Sequence, residues 1–200
     1  KPNETILDGI DSLIKSDPTI PMLGRRKQLA DGKFEPEFTW TTRAEVSQQM
    51  SRVAEFTRQA GLGRGSRVGI FSNNRPEFFI SQYGAYRRAL VPVPLYATLG
   101  ADAISFIIEH AELPIIFCSG STLPALLERA SASTATPLRC IVCFDRITVP
   151  EEALSALASK SVRLVFWDEM LSSTPEITAE NIEKPQPSEL FLVLYTSGTT

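Results

Sequence analysis

The stretch of this chain best equipped for chemistry is Thr196-Ser197-Gly198-Thr199-Thr200, four hydroxyls around one glycine, reached directly from the apolar run Leu190 to Tyr195. Hydroxyl side chains and a glycine backbone can surround an anion with donors without adding charge, and a threonine hydroxyl also ligates Mg2+. In open parallel sheets ligands gather at the carboxyl ends of the strands, so a loop of this kind leaving a buried strand is where a phosphate binds. Ser, Gly and Thr also fill ordinary turns. From spacing alone a phosphate cradle and a plain turn both stand, and the stretch is not the Walker pattern of Gly, four residues, Gly-Lys-Ser/Thr.

Other residues with chemical potential read more simply. Asn73-Asn74-Arg75-Pro76-Glu77 ends a strand-like run, a ligand-prone place, but Asn and Pro are what a strand-to-helix turn and its cap require. Cys140 and Cys143 have the spacing of a redox or zinc pair, yet in an apolar strand residues three apart point to opposite faces, so they read as buried thiols. His110 is the only histidine, which excludes a histidine-based metal cluster and suggests a surface role at a helix end. Arg25-Arg26-Lys27 and Arg87-Arg88 read as solvated basic faces. Phe78, Phe79, Tyr83 and Tyr86 repeat at helical spacing and read as core rather than as the lining of an acyl pocket.

The elements that must position the loop follow from periodicity. From Ser66 onward, apolar β-branched runs alternate with helical segments, the pattern of βα units building an open, mostly parallel sheet with flanking helices. Thr42 with Glu45 forms a capping box that opens a helix lined by Val46, Met50 and Val53 and ended by Gly61, Gly63 and Gly65. The first strand, Arg67 to Ser72, is predicted to be central and buried, followed by a helix over 76–89. Leu90 to Leu95 carries two prolines and so reads as an edge strand or one leaving the sheet. A helix over Ile104 to Ala111, a strand at 114–118, a helix opened by Ser121, a strand at 139–144, a weak helix near 151–159 and a strand at 162–167 complete the pattern. The organisation expected is a lead-in region over 1–40, an α/β unit over 41–171, a Pro/Ser-rich connector over 172–189, and a strand with the start of the loop over 190–200.

Composition narrows the class. Of 200 residues, 43% are apolar and 22% charged, with a net charge of −3, so no large basic surface exists to neutralise nucleic-acid phosphates. The longest apolar run falls far short of the roughly 20 residues needed to cross a bilayer. Three cysteines suit a reducing compartment, so the expected location is intracellular, cytoplasmic or on the face of an organelle membrane. The chain starts at Lys1 and stops inside a Gly-containing loop, as a fragment would.

Leu194-Tyr-Thr-Ser-Gly-Thr-Thr200 resembles the first half of the signature loop of the adenylate-forming enzymes, which continues Gly-x-Pro-Lys-Gly. Arg67-Val-Gly-Ile-Phe-Ser-Asn-Asn-Arg-Pro-Glu77, Val91-Pro-Val-Pro-Leu-Tyr-Ala-Thr-Leu-Gly100 and Ile107-Ile-Glu-His-Ala-Glu112 are similar to the long-chain fatty acyl-CoA synthetase branch. Pro21 to Arg25 and Thr39-Trp-Thr-Thr42 resemble its beginning, and Ala97 stands where that branch commonly has Asp. The resemblance implies part of the large N-terminal domain of such an enzyme, with ATP, Mg2+ and coenzyme A as cofactors and a long-chain fatty acid as substrate. It assigns Thr196, Ser197, Gly198, Thr199 and Thr200 to the ATP phosphates, with Thr200 the candidate for Mg2+ and no catalytic residue inside the span. The remaining site residues lie beyond Thr200 in the family, so this span alone is expected to be inert. Another adenylate-forming acid ligase, a luciferase-like enzyme and a free-standing flavodoxin-like module are the alternatives. Peripheral membrane association and a homo-oligomer are left open, the latter because an unpaired Leu190 to Tyr195 edge invites pairing.

Overall fold

Alternate residues of short, wholly apolar strands feed two different cores, and this divides the molecule into layers. The computed structural model describes residues 4–29, 31–132 and 136–196. Within them β3 (Arg67–Phe71), β4 (Val91–Leu95), β5 (Ile115–Cys118), β6 (Cys140–Cys143) and β7 (Arg163–Phe166) form one parallel sheet in the order β4-β3-β5-β6-β7. Ile115 and Phe117 of β5, with Cys140 and Val142 of β6, enter the core shared with α1 (Ile6–Ser16), α2 (Arg43–Gln59), α3 (Pro76–Tyr86) and α7 (Trp167–Ser173). Ile116, Cys118, Ile141 and Cys143 face the other core, built with α4 (Ala101–His110), α5 (Leu123–Ala132) and α6 (Glu151–Ser159). Each large apolar side chain buried this way contributes about 1.5–3 kcal/mol, and burial on both faces is why these strands read as continuous apolar runs.

The helices start where local chemistry allows. Thr42 accepts from the Glu45 N–H while the Glu45 carboxylate accepts from the Thr42 N–H at 2.7 Å, closing the capping box ahead of α2. Gly61, at φ +80°, supplies the left-handed turn after the helix. Pro76 occupies the first turn of α3, where no N–H is missed. Arg75 precedes it without a side-chain cap, so the Asn residues serve the turn but not the cap.

Several expectations change. The predicted lead-in holds α1, opened by a Thr5–Asp8 capping box, and an antiparallel pair of β1 (Pro21–Arg25) with β2 (Thr39–Thr42). β3 is buried and paired on both sides, but β5 takes the centre of the sheet. The helix predicted over 76–89 stops at Tyr86, and α5 begins at Leu123 rather than Ser121. Arg87 and Arg88 are not solvated: they are 6% and 7% exposed. Arg87 donates to Ser47 and Ser51 and pairs with Asp11, and Arg88 donates to the Asn181 carbonyl and pairs with Glu183. Burial of the aliphatic stems is tolerated because the guanidinium heads meet acceptors from α1, α2 and the connector.

Leu190 to Tyr195 is not a strand. Among the described residues, the Val193 N–H donates to the Pro92 carbonyl at 3.1 Å. The cause lies in β4: Val91 donates inward to the Ser66 carbonyl, so residues 92 and 94 face outward, and both are prolines without an N–H. The sheet edge can accept from a sixth strand but cannot donate to it.

Candidate functional site

Two crevices compete for the role of ligand site. The first lies at the carboxyl ends of β3, β5 and β6, beside the point where the chain turns from β3 outward to β4 and returns to β5, the usual ligand position of an open parallel sheet. It encloses about 790 Å³ between Arg25, Asn73, Arg75, Ser119, Ser121 and Asp145, among others. Two of its arginines are paired within the crevice, while Arg26 lies over the Phe34 and Phe38 rings and Lys27 pairs with Glu35. Arg75 makes a two-pronged bond to Asp145 at 2.8 and 2.9 Å and a third to Glu77 at 2.7 Å, and Arg25 reaches Glu77 at 3.1 Å. Asp145 also accepts the Gly120 N–H at 2.7 Å. Burial opposes ionisation of Asp145, but the bonds from Arg75 and Gly120 outweigh it and hold the carboxyl below the usual carboxylate range. The Asp145 carboxylate thereby occupies the Arg75 guanidinium and the Gly120 N–H.

The second crevice is next to the loop singled out above. About 650 Å³ is enclosed by Tyr96, Leu99, Phe106, Ile107, Tyr195 and Thr196, with Thr98 and Ala103 completing the wall. α4 supplies one side, because Ala103, Phe106 and Ile107 recur at helical spacing along one face. The lining is apolar apart from hydroxyls at Tyr96, Thr98, Tyr195 and Thr196, which is the balance of a small-molecule pocket.

Three anchors bring the chain to this point. Phe191 stacks on Tyr86 with ring centroids 4.5 Å apart, Val193 bonds to Pro92, and the Tyr195 hydroxyl lies 2.7 Å from the His110 Nδ1. Spaced two apart, these residues turn inward, while Leu190 and Leu194 point to solvent, 58% and 55% exposed. Of the residues assigned to the phosphates, Thr196 lines the crevice; Ser197, Gly198, Thr199 and Thr200 lie outside the described residues.

The cysteines and the aromatic stripe take the places expected of them. Cys118, Cys140 and Cys143 are free and buried, with Cys140 and Cys143 in opposite cores. Burial pushes the Cys140 thiol up to about 11 and Cys118 well above its usual value, so neither is primed as a nucleophile. No cluster of three or more metal-ligating side chains occurs among the described residues. Tyr86 is core, and Phe79 and Tyr83 stack at 4.2 Å over it, as the helical stripe predicts. His110 does end a helix, but it is also tied to Tyr195, a contact across 85 residues that periodicity could not reveal. The same holds for Arg75 and Asp145, 70 residues apart.

A parallel sheet with helices packed on both faces, ending at a pocket that Thr196 lines, defines a doubly wound α/β protein. Residues 25–200 match the AMP-binding enzyme family, and the chain belongs to it. It is 34% identical over 188 residues to fatty acyl-CoA synthetase A of Dictyostelium discoideum and 35% identical over 187 residues to long chain acyl-CoA synthetase 3 of Arabidopsis thaliana. Each match covers 94% of this chain and 27% of the relative, so the chain spans about a quarter of the length of these curated relatives. In fold it is similar to the A domain of carboxylic acid reductase from Segniliparus rugosus, solved with AMP and a carboxylic acid, with a TM-score of 0.77 at 18% identity over 97% of this chain and 34% of that one. The Mycobacterium tuberculosis fatty acyl CoA synthetase gives 0.66 at 19% identity over 96% and 32%.

Proposed function

We propose that this chain is the N-terminal part of a long-chain fatty acid–CoA ligase. In that reaction a fatty acid carboxylate attacks the α-phosphorus of ATP to give acyl-adenylate and pyrophosphate, and coenzyme A then displaces AMP to give acyl-CoA. The observation that carries the reading is the delivery of Thr196 to a pocket whose other walls are mostly apolar, immediately ahead of Ser197, Gly198, Thr199 and Thr200. A phosphate chain and an acyl chain need adjoining donor-rich and apolar surfaces, and this junction offers both. The relatives' names support the long-chain class over other acid ligases and over a free-standing module.

In this reading the hydroxyls and backbone of residues 196–200 donate to the phosphates, positioning them and stabilising the charge that builds on them. Mg2+, when bound, neutralises phosphate charge, and the Thr200 hydroxyl is the residue of this span assigned to it. Three buried, free cysteines support an intracellular location, cytoplasmic or on the face of an organelle membrane. Residues 41–171 are proposed as one α/β unit, 172–189 as its connector and 190–200 as the start of the next.

The test is fatty-acid-dependent ATP–pyrophosphate exchange by the full-length protein, with this span assayed beside it. Palmitate-driven exchange in the former and none in the latter is the expected result. Failure of every carboxylic acid to support exchange by the full-length protein would overturn the reading. Thr196→Val in the full-length protein should reduce exchange about 10- to 100-fold, the scale of losing one hydrogen bond to a charged group.

A further inference from the structure

We propose that the crevice at the amino ends of β6 and β7 binds a small phosphate monoester, its phosphate held by Arg139 and Arg163 and its organic part laid on Phe56 and Cys140. The inference goes beyond the ligase reading and does not depend on it.

The crevice encloses about 440 Å³ where α2 ends and β6 and β7 begin. It lies at the end of the sheet opposite Asn73, Tyr96 and Asp145, which follow the carboxyl ends of their strands. Register brings its charges together. Cys140 of β6 and Arg163 of β7 are partners across the ladder, and the Arg139 carbonyl accepts the Arg163 N–H at 2.9 Å, so two arginines spring from one rung of the sheet. Both line the crevice, and neither has a carboxylate partner among the described residues. Arg163 meets only the Cys140 thiol. Glu55, next to the lining residue Phe56 on α2, is already held by Arg58 and Gln59. Two like charges on one rung repel, and an anion between them removes the repulsion.

An alternative role for the arginines would be to neutralise the carbonyl ends of α2 and α6, which also finish here. Those carbonyls are already taken. Phe56, Thr57 and Arg58 accept from Ala60, Leu62 and Gly61, and Leu157 and Ala158 accept from Val162 and Ser161. The rest of the lining sorts by chemistry. Ser161 stands at φ +57°, in the left-handed turn between α6 and β7 where glycine is usual, and adds a hydroxyl to the wall. Phe56 and Cys140, 7% and 5% exposed, supply an apolar floor with Ala60. A carboxylate offers one charge and two oxygens, whereas a phosphate monoester offers close to two charges and about three terminal oxygens, the match for two guanidinium forks and a hydroxyl. The apolar floor then selects an organic phosphate over the bare ion.

The test is isothermal titration calorimetry of the full-length protein with phenyl phosphate, inorganic phosphate and phenol. Phenyl phosphate should bind with a Kd of about 0.1–1 mM, inorganic phosphate about tenfold more weakly, and phenol without detectable heat. Both arginines are exposed, so replacing them leaves the core intact. Arg139→Gln and Arg163→Gln should each weaken phenyl phosphate about tenfold or more, the scale of one charge-assisted hydrogen bond. Thr196→Val should leave that affinity unchanged. Ser161→Gly suits the left-handed turn and should weaken binding about threefold, which decides the matter even where an arginine variant fails to fold. Phenyl phosphate bound equally by the wild type and the arginine variants, or not bound at all, overturns the proposal. Inorganic phosphate binding as tightly as phenyl phosphate leaves the floor unused and overturns it too. A loss with Thr196→Val as large as with the arginine variants places the ligand beside Thr196 and has the same consequence.

Discussion

Arg75 places both terminal nitrogens of its guanidinium on the Asp145 carboxylate, at 2.8 and 2.9 Å, and the same carboxylate accepts the Gly120 N–H at 2.7 Å. The loops that end β3, β5 and β6 are thereby joined at one point. Asp145 titrates below its usual range in the fold, so its contribution is present above the unfolded carboxylate value of about 3.9 and is lost as pH falls below it. Asp145→Asn should lower stability by about 1–2 kcal/mol at pH 7. The 39% exposure of the side chain keeps the effect at the lower end of the range for buried pairs. Urea unfolding at pH 7 and at pH 3.5 checks it: the difference from wild type should shrink at the lower pH, and an undiminished difference there would contradict a role for the charge.

The α2–α3 contact turns on a missing side chain. A Cβ on Gly84 would lie 2.7 Å from the Val53 Cβ and 2.9 Å from the Met50 carbonyl oxygen, and neither can move away without shifting the helix. Gly84→Ala should destabilise by about 1–3 kcal/mol through overpacking. Gly9 in α1 meets nothing within 4 Å of the same added atom. Gly9→Ala should therefore stabilise by about 0.5–1 kcal/mol, since alanine loses less backbone entropy in a helix. Urea midpoints that move in the same direction for both variants would show that space does not decide the sign.

Cys118 and Cys143 face each other in register across β5 and β6, while Cys140 enters the opposite core. Burial raises the Cys118 and Cys140 thiols and shields all three from reagents. A chromogenic disulfide reagent should react with none of them within minutes under native conditions and with all three in guanidinium chloride. Rapid native labelling of Cys140 or Cys143 would revive the metal or redox reading that their spacing first suggests.

Local and periodic signals were legible before any coordinates. The Thr42–Glu45 box, Pro76 at the head of α3, the prolines that place β4 at the edge and the opposite facing of Cys140 and Cys143 each follow from chemistry within a few residues. The Thr5–Asp8 box was equally readable and marks α1, which composition alone hides. What escaped depends on distant partners. Arg87 and Arg88 look like surface charge until acceptors from α1, α2 and the connector surround them. Leu190 to Tyr195 has every intrinsic preference of a strand, and the β4 edge beside it carries prolines about 100 residues earlier that can accept but not donate. The candidate site divides in the same way: Thr196 was marked by its own loop, and His110 acquired meaning only through Tyr195.

That unladdered segment carries the last prediction. Leu190 and Leu194 are 58% and 55% exposed, apolar side chains beside an edge whose outward carbonyls can accept. Such side chains draw together copies of the chain when the span is prepared alone. Light scattering of the 200-residue span should show a mass that rises with concentration, accompanied by binding of a hydrophobic dye. Leu190→Ser combined with Leu194→Ser should reduce both signals. Because these side chains leave the core untouched, stability should change by no more than about 0.5 kcal/mol. A dye-silent monomer at high concentration would show that these side chains are covered in solution by the chain itself. A double variant that unfolds would show instead that Leu190 and Leu194 pack inward, against the inward facing of Phe191, Val193 and Tyr195.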